Sequence, residues 1–420
     1  MTKMFNEIIL IYVCLNMINN FTILSFTQML IFMISINLNS YLYPINYFNY
    51  SNWMSILLIW IVLICLIINN NYSINFNKFN LMIIMFTLLI FFNTDSPLII
   101  YFTFEGSILP ILMFMLWKSK SSDRFMSLMN MFLFMIIFSI PTILFFNQIY
   151  NYNLSFNSYS MMLMLMIMVK MPIFLFHIWL PKAHGDSPVY GSMILASIML
   201  KMSGYLYLIF KPLLTIYLFN SLKPYIMNLF ILITLILSLY TLIQLDIKIL
   251  IALSSIVHMT MSFITMLISN NMSDLSIFLM MLAHGLTSSA LFFTHNLFYE
   301  NLHSRTIFIL KNLKLNFKCL LLIWFLICTS NMGLPISINM ISEIMIILNI
   351  AMNINMLMMI IFIITILCTS IYSIYMFTFM MNYKTYLFNS FNNMINNKSL
   401  MINFMHIIPS FMFILKMSIF

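Results

Sequence analysis

The sequence predicts an all-α polytopic membrane protein with about 14 transmembrane helices. Hydrophobic residues make up 63% of the 420 residues and charged residues only 6%, so the chain lacks the polar surface that a soluble domain of this length needs. The mean hydropathy of +1.04 and the repeated apolar runs also indicate a membrane protein, because a membrane span needs roughly 20 apolar residues.

Fourteen apolar segments alternate with short polar stretches, and each segment is predicted to be one span. No small-residue cleavage site follows the first segment, MTKMFNEIILIYVCL, so we expect no cleaved signal there. The predicted spans are residues 7–18, 21–38, 53–68, 80–93, 97–117, 126–147, 159–179, 188–210, 224–243, 248–268, 275–297, 319–350, 354–381 and 400–417.

Basic residues are unevenly distributed between alternate loops, and this bias predicts the orientation of the spans. With the N-terminus outside, the outer side carries Lys3, Lys211, Lys223 and Lys416. The net charge of +9 is therefore interpreted as a topology signal and not as nucleic-acid binding. The inner side carries Lys78, Lys118, Lys120, Arg124, Lys182, Lys248, Arg305, Lys311, Lys314, Lys318, Lys384 and Lys398.

Cysteine and glycine spacing argues against cofactor sites in this chain. The cysteines, at 14, 65, 319, 328 and 368, form no C-x-x-C pair, as iron–sulfur and zinc sites usually require. The six glycines are isolated, so no Gly-rich phosphate loop is present. We expect no bound cofactor and no metal. The 45 Met residues are interpreted as replacements for Leu and not as copper ligands. Such usage indicates an A+T-biased genome that reads extra codons as Met, as many mitochondrial genomes do.

Ionisable residues inside the spans are the strongest functional signal. A charge at the bilayer centre costs at least ~2.5–3.5 kcal/mol, so such residues face a partner or a wet cavity and mark ion paths. Ion pairs that merely join helices are the alternative, but the number of these groups favours a path. They are Glu105, Lys170, Lys201, His258, His284 and Glu343, and the two glutamates are the only acidic residues predicted to lie deep in spans.

The seventh and twelfth spans each contain a proline close to one of these residues. Pro172 follows Lys170, and Pro335 precedes Glu343. A proline inside a helix removes a hydrogen bond, and the freed carbonyls are tolerated at membrane depth where the segment is buried or lines a cavity. Broken helices at corresponding places predict two inverted repeats of five helices, as in transporters.

Four motifs resemble the proton-pumping, antiporter-like subunits of respiratory complex I. They are MVKMPIFLFHIWLPKAHGDSPVYGSMILASIMLKMSGY, FEGSILP, LDIKILIALSSIVHM and AHGLTSSALFFTHNLFYENLHSR, and they occur in the expected order within residues 95–345. YENLHSR at 299–305 and the glutamate at 343 favour one chain of the family over its two relatives. The family commonly has a glutamate where Asp186 stands and a glycine where Ser203 stands.

The resemblance implies a proton relay through the six ionisable residues. Glu105 on the fifth helix would pair with Lys170 on the broken seventh helix. Lys201 would be the central site, and the two histidines would continue the relay to Glu343 on the broken twelfth helix. Burial disfavours a charged lysine whereas a nearby carboxylate favours it, so movement of Glu105 would decide whether Lys170 keeps its proton.

The resemblance also implies an organisation and partners. Residues 1–79 would form helices 1–3, residues 80–210 the first repeat, residues 211–381 the second repeat and residues 382–420 helix 14. The chain would lie in the mitochondrial inner membrane, among its lipids and beside other membrane-arm subunits, including neighbouring antiporter-like chains. NADH, FMN, iron–sulfur clusters and ubiquinone would be held by partner subunits.

Two other functions fit the same composition. A free-standing cation/proton antiporter would share the fold, although ordinary Gly and Ala usage would be expected of it. A structural membrane subunit with an inactive ion path would have lost a relay residue, and all six are present. Purification with flavin and iron–sulfur proteins would favour the respiratory complex, whereas a lone oligomer would favour the antiporter.

The distribution of basic residues predicts that residues 118–124 and 303–318 lie on the same, inner side of the membrane. In a background without native cysteines, we expect Ser122→Cys and Asn312→Cys to react with an impermeant maleimide only from that side. Asn220→Cys should react only from the other side. Labelling of both inner positions from the outer side would contradict the topology.

Overall fold

Helices form at twelve of the fourteen predicted spans. The computed structural model describes residues 47–68, 75–94, 96–118, 124–143, 146, 156–215, 223–308, 318–381 and 397–412. The first two predicted spans, 7–18 and 21–38, lie outside the described residues. Two compact units divide after Pro110.

The described residues of the first unit form three apolar helices, α1 (Tyr47–Ile68), α2 (Asn75–Asn93) and α3 (Pro97–Gly106). Helix α2 packs against α1 and α3, and the rings of Phe91 and Phe104 lie 5.9 Å apart across the second contact. Pro97 is the first residue of α3. Its missing N–H costs no hydrogen bond there, because the first N–H groups of a helix have no intrahelical acceptor.

The predicted fifth span is divided in two, because α4 (Ile108–Lys118) begins after an interruption at Ser107. Pro110 has no N–H for the carbonyl of Gly106, four residues earlier, so the helical ladder cannot continue there unchanged. The Ser107 hydroxyl donates to the Phe104 carbonyl at 2.8 Å and satisfies one of the groups at this junction.

The second unit is built on two adjacent helices, α11 and α12. Its elements are α5 (Arg124–Ser139), α6 (Phe156–Lys170), α7 (Trp179–Asp186), α8 (Val189–Ile194), a π-helical turn (Leu195–Met199), α9 (Leu200–Thr215), α10 (Lys223–Ile243), α11 (Ile247–Ile268), α12 (Asn271–Leu302), α13 (Lys318–Asn331), α14 (Ile338–Ala351), α15 (Met356–Met381) and α16 (Asn397–Met412). Helix α12 contacts α8, α9, α11, α13, α14 and α16.

The outer helices of this unit present apolar side chains to the surroundings. Helices α10 and α15 pack against each other and expose Leu229, Ile236, Ile360 and Leu367. Exposed apolar faces of this extent suit a hydrocarbon solvent and not water. Six helices among the described residues are long and apolar enough to cross a membrane.

Helix α12 is longer than the predicted span at residues 275–297, since it runs from Asn271 to Leu302. Its 32 residues extend about 48 Å at 1.5 Å per residue, beyond a hydrocarbon core of about 30 Å. Hydropathy detects the apolar middle only, because the helix continues into polar residues at both ends. His303, with a φ of 51°, ends it.

The predicted break in the seventh span is confirmed. Helix α6 ends at Lys170, and regular helix resumes at Trp179. The N–H of Ile173 bypasses Pro172 and donates to the Met168 carbonyl at 3.1 Å. The indole N–H of Trp179 donates to the carbonyl of Val169 at 3.2 Å, so a side chain satisfies a carbonyl at the interruption.

The predicted break in the twelfth span is also confirmed, and it has the same construction. Helix α13 ends at Asn331 and α14 begins at Ile338. The N–H of Leu334 reaches back five residues to the Thr329 carbonyl at 3.2 Å. The Asn339 amide donates to the Ser330 carbonyl at 3.0 Å, as Trp179 does in the first break.

Each break also contains an apolar residue in the left-handed region, Leu175 with a φ of 81° and Ile336 with a φ of 86°. A bulky residue in this conformation costs about 1–3 kcal/mol. The surrounding helices must therefore hold both breaks in place, and the proline positions alone do not predict these two residues.

The Trp179 bond to Val169 supports a stability prediction. Trp179→Phe should lower the free energy of unfolding by about 1–3 kcal/mol more than Trp324→Phe, because it leaves a buried carbonyl without its donor. Trp324 is a matched control, since it is fully buried and its indole N–H has no hydrogen-bond partner in the described residues. Thermal denaturation of the solubilised protein would compare the two, and equal losses would refute a role for this bond.

Candidate functional site

The central helix pair places two histidines next to each other. His258 lies on α11 and His284 on α12, and both side chains are buried. Their ring centroids are 5.6 Å apart with an interplanar angle of 48°. Two imidazoles at this separation can exchange a proton after a small ring movement.

Lys201 extends the pair on one side. Its side chain has no exposed surface, its Nζ lies 2.8 Å from Nδ1 of His284, and it also donates to the carbonyl of Ala196. Ala196 belongs to the π-helical turn immediately before α9. Turns of this kind recur at functional sites, and here the turn supplies the carbonyl that Lys201 binds.

A glycine of α9 packs against a methionine side chain of α12 beside this contact. Gly204 follows Lys201 by three residues, and Met281 precedes His284 by three. An added Cβ at Gly204 would meet the sulfur of Met281. Residues three apart share a helix face, so the tight contact of Gly204 with the Met281 side chain lies where the lysine and the histidine meet.

Glu343 lies at the other end of the histidine pair. Its Oε1 is 3.9 Å from Nδ1 of His258, a distance longer than a hydrogen bond. The hydroxyl of Tyr372 lies 3.3 Å from Nε2 of the same ring. A slight approach of the carboxylate would make direct proton transfer possible.

These four side chains form one continuous buried row, which we name the relay row: Lys201, His284, His258 and Glu343. Within the described residues, the partners of the Lys201 ammonium are a carbonyl and an imidazole, and none is a carboxylate. A proton on Lys201 is therefore not held in an ion pair, and its contact with His284 serves both directions of transfer. The ammonium donates to Nδ1, and after transfer the ring N–H donates to the amine.

The other two predicted site residues lie apart from the relay row in sequence and in helix. Lys170 is the last residue of α6 and is buried, with 3% of its surface exposed. Glu105 lies on α3 in the first unit and is partly buried. Their pairing would join the two units, and it stays a prediction.

A buried ion pair lies outside the predicted set of site residues. Hydropathy places Lys211 in an outer loop and does not select Asp274. The structure buries both side chains, with Nζ and Oδ2 2.6 Å apart. Both residues lie near helix ends. A charged residue there resembles a loop residue in the sequence, but it can be buried against a neighbouring helix.

The loop between α7 and α8 is held by two cations from distant positions. Arg305 donates to the Gly185 carbonyl at 2.9 Å, and Lys248 donates to the Ser187 carbonyl at 2.7 Å. We call this arrangement the loop clamp. Lys248 is buried, although the count of basic residues treats it as a loop charge.

Sequence reasoning missed Tyr372 and did not assign His184 to the site. Tyr372 is fully buried and contacts His258, but a single tyrosine in an apolar span carries no signal of its own. His184 is also fully buried, and its place beside Pro188 and Lys182 makes it resemble a loop residue.

Comparisons with known proteins show the family of this chain. The family described as NADH:quinone oxidoreductase/Mrp antiporter, TM, matches residues 79–371. NADH-ubiquinone oxidoreductase chain 4 of Apis mellifera ligustica is 34% identical over 359 residues, which cover 82% of this chain and 79% of the relative. The protein of the same name from Rhipicephalus sanguineus is 31% identical over 383 residues, with 87% of each chain covered.

A solved structure shares the fold. A chain of respiratory complex I from Thermus thermophilus with bound NADH superposes with a TM-score of 0.79 at 14% sequence identity, covering 92% of this chain and 90% of that one. The family match extends over most of the chain and the animal relatives exceed 30% identity. The chain therefore belongs to the NADH:quinone oxidoreductase/Mrp antiporter family and, within it, to the NADH-ubiquinone oxidoreductase chain 4 proteins.

Proposed function

We propose that this chain is a proton-translocating subunit of the membrane arm of respiratory complex I, in the mitochondrial inner membrane. The observation that carries the proposal is the relay row, four titratable side chains in sequence through the buried centre of the second unit. A structural subunit has no need of such a row, because buried ionisable groups are costly in a membrane.

Each member of the relay row has a distinct part in proton transfer. Lys201 receives the proton and passes it to His284, whose ring lies within hydrogen-bond distance of Nζ. The proton then moves to His258, which Tyr372 orients through Nε2, and on to Glu343. The carboxylate accepts it when its 3.9 Å separation from Nδ1 shortens.

Lys170 and Glu105 act before the relay row. Lys170 lies at the break of the seventh span, where α6 ends. Glu105 pairs with Lys170 in the resting state, and its withdrawal releases the lysine's proton towards Lys201. Desolvation and a neighbouring carboxylate oppose each other at one lysine, so a movement of the carboxylate is enough to switch the site.

Electron transfer takes place in other subunits. The partners are further membrane-arm subunits, including neighbouring antiporter-like chains, and NADH, FMN, iron–sulfur clusters and ubiquinone are held elsewhere in the assembly. Energy from the redox reaction then reaches this chain through contacts along the membrane. A separate cation/proton antiporter remains the alternative, and its purified form would contain no redox proteins.

Substitutions in the relay test the proposal. Lys201→Met and Lys170→Met should each allow assembly, because they remove a buried charge, yet each should abolish this subunit's share of protons translocated per electron. Glu105→Gln should reduce translocation less completely, since Lys170 would remain. The measurement is the proton-to-electron ratio of the assembled complex in vesicles.

Lys223→Met is a control for the loss of a partly buried lysine. Lys223 donates to the Ile268 carbonyl and the Ser269 hydroxyl at the end of α11 and takes no part in the relay. The proton-to-electron ratio of the Lys223→Met complex should match that of the unsubstituted complex. Undiminished translocation in Lys201→Met would refute the relay, and undiminished translocation in Lys170→Met would make that lysine structural.

Gly333 in the second break holds the position of Glu343. It has a φ of 75°, and an added Cβ would lie 2.7 Å from Oε2 of Glu343. Gly333→Ala should therefore lower stability by about 1–2 kcal/mol through the left-handed backbone, and should also lower translocation by displacing the carboxylate. Denaturation and the proton-to-electron ratio measure the two effects.

Gly191→Ala is the matched control, because a Cβ there would make an ordinary contact with Pro188 at 3.4 Å. Gly191→Ala should change neither the stability nor the proton-to-electron ratio appreciably. A Gly333→Ala complex with normal stability and normal translocation would show that the close approach to Glu343 has no functional weight.

A further inference from the structure

Tyr372 brings a hydroxyl from an outer helix into the buried centre of the second unit. It lies on α15 without exposed surface, and its hydroxyl is 3.3 Å from Nε2 of His258 on α11. Three other buried hydroxyls of this helix, those of Thr365, Thr369 and Ser373, each donate to the carbonyl three residues earlier. Among these four side chains, Tyr372 is the one that reaches a titratable group of another helix.

The two nitrogens of the His258 ring face different groups. Nδ1 faces Oε1 of Glu343 at 3.9 Å, and Nε2 faces the Tyr372 hydroxyl. An ionised carboxylate only accepts, so a proton that passes to Glu343 leaves the ring from Nδ1. A neutral imidazole carries a proton on one nitrogen and accepts at the other, so the next proton enters at Nε2. The group that contacts this entry nitrogen is the tyrosine hydroxyl.

The same reasoning gives the nitrogen through which His284 releases a proton. Its Nδ1 lies 2.8 Å from Nζ of Lys201, so a proton from the ammonium enters there and the proton on Nε2 leaves. The centroids of the two imidazoles are 5.6 Å apart, and Nε2 of His258 is already in contact with the hydroxyl of Tyr372. A phenolic hydroxyl both donates and accepts, so it can receive one proton while it gives up another.

We infer that the Tyr372 hydroxyl transfers protons from His284 to His258 within the relay. The inference rests on the proposed function, and it gives the residue that orients His258 a direct part in the transfer. The hydroxyl proton moves to Nε2 of His258 while the Nδ1 proton moves to Glu343. The oxygen takes the Nε2 proton of His284, directly or through a water molecule. The Lys201 ammonium loses one proton, the Glu343 carboxylate gains one, and the tyrosine stays neutral.

Two substitutions at Tyr372 separate proton transfer from orientation. Tyr372→Phe keeps the ring and removes the hydroxyl. Tyr372→Gln can still donate an amide N–H to Nε2 of His258, but an amide does not take up one proton and pass on another. Proton transfer predicts that both variants assemble at normal yield and lose as many protons per electron as Lys201→Met does. A purely orienting role predicts a loss in Tyr372→Phe only, and direct exchange between the imidazoles predicts a normal ratio in Tyr372→Phe.

Tyr207→Phe is the matched control, because Tyr207 is a buried tyrosine on α9 whose hydroxyl donates to the Met266 carbonyl, outside the relay row. Tyr207→Phe should leave the proton-to-electron ratio unchanged. A normal ratio in either Tyr372 variant, beside a reduced ratio in Lys201→Met, overturns this inference and leaves the proposed function intact. A normal ratio in Lys201→Met overturns the proposed function itself. Failure of both Tyr372 variants to assemble would assign the side chain to folding and overturn the inference.

Discussion

The buried ammonium of Lys201 is the constraint on which the second unit depends. A lysine without exposed surface inside a membrane protein is costly unless polar groups surround it, and here those groups are the carbonyl of Ala196 and the ring of His284. The π-helical turn supplies the first partner. Helix α12 supplies the second, and Gly204 of α9 packs against the Met281 side chain beside this contact.

The same requirement explains the two broken spans. Each break exposes backbone groups that must be satisfied within the protein, and in each a downstream side chain, Trp179 or Asn339, returns to a carbonyl of the preceding helix. The second break brings Gly333 against Glu343. The strained backbone of the second break therefore lies directly beside the carboxylate of the relay row. Strained backbone is often retained at functional sites.

Much of this arrangement can be predicted from the sequence, because hydrophobic length and buried charge are strong signals in a membrane. Twelve of the predicted spans correspond to helices, and the prolines at 172 and 335 indicate both breaks. The relay residues Lys201, His258, His284 and Glu343 are visible as charges within apolar runs, but their order in space depends on helix packing.

Other features have no local signature. The ion pair of Lys211 with Asp274 forms between helix ends that resemble loops, and the contact of Tyr372 with His258 joins residues 114 positions apart. The left-handed conformations of Leu175 and Ile336 follow from the packing around each break and not from the residue type. Such features depend on tertiary contacts, which a periodicity argument does not contain.

The central claim is that protons pass through the relay row, and His284 is its most informative member because it alone contacts Lys201. The decisive measurement is the proton-to-electron ratio of the assembled complex with His284→Phe, which keeps an aromatic ring between Lys201 and His258 but removes its titratable nitrogens. A ratio lowered by this subunit's full share, with normal assembly, is the predicted result. A ratio equal to that of the unsubstituted complex would contradict the account.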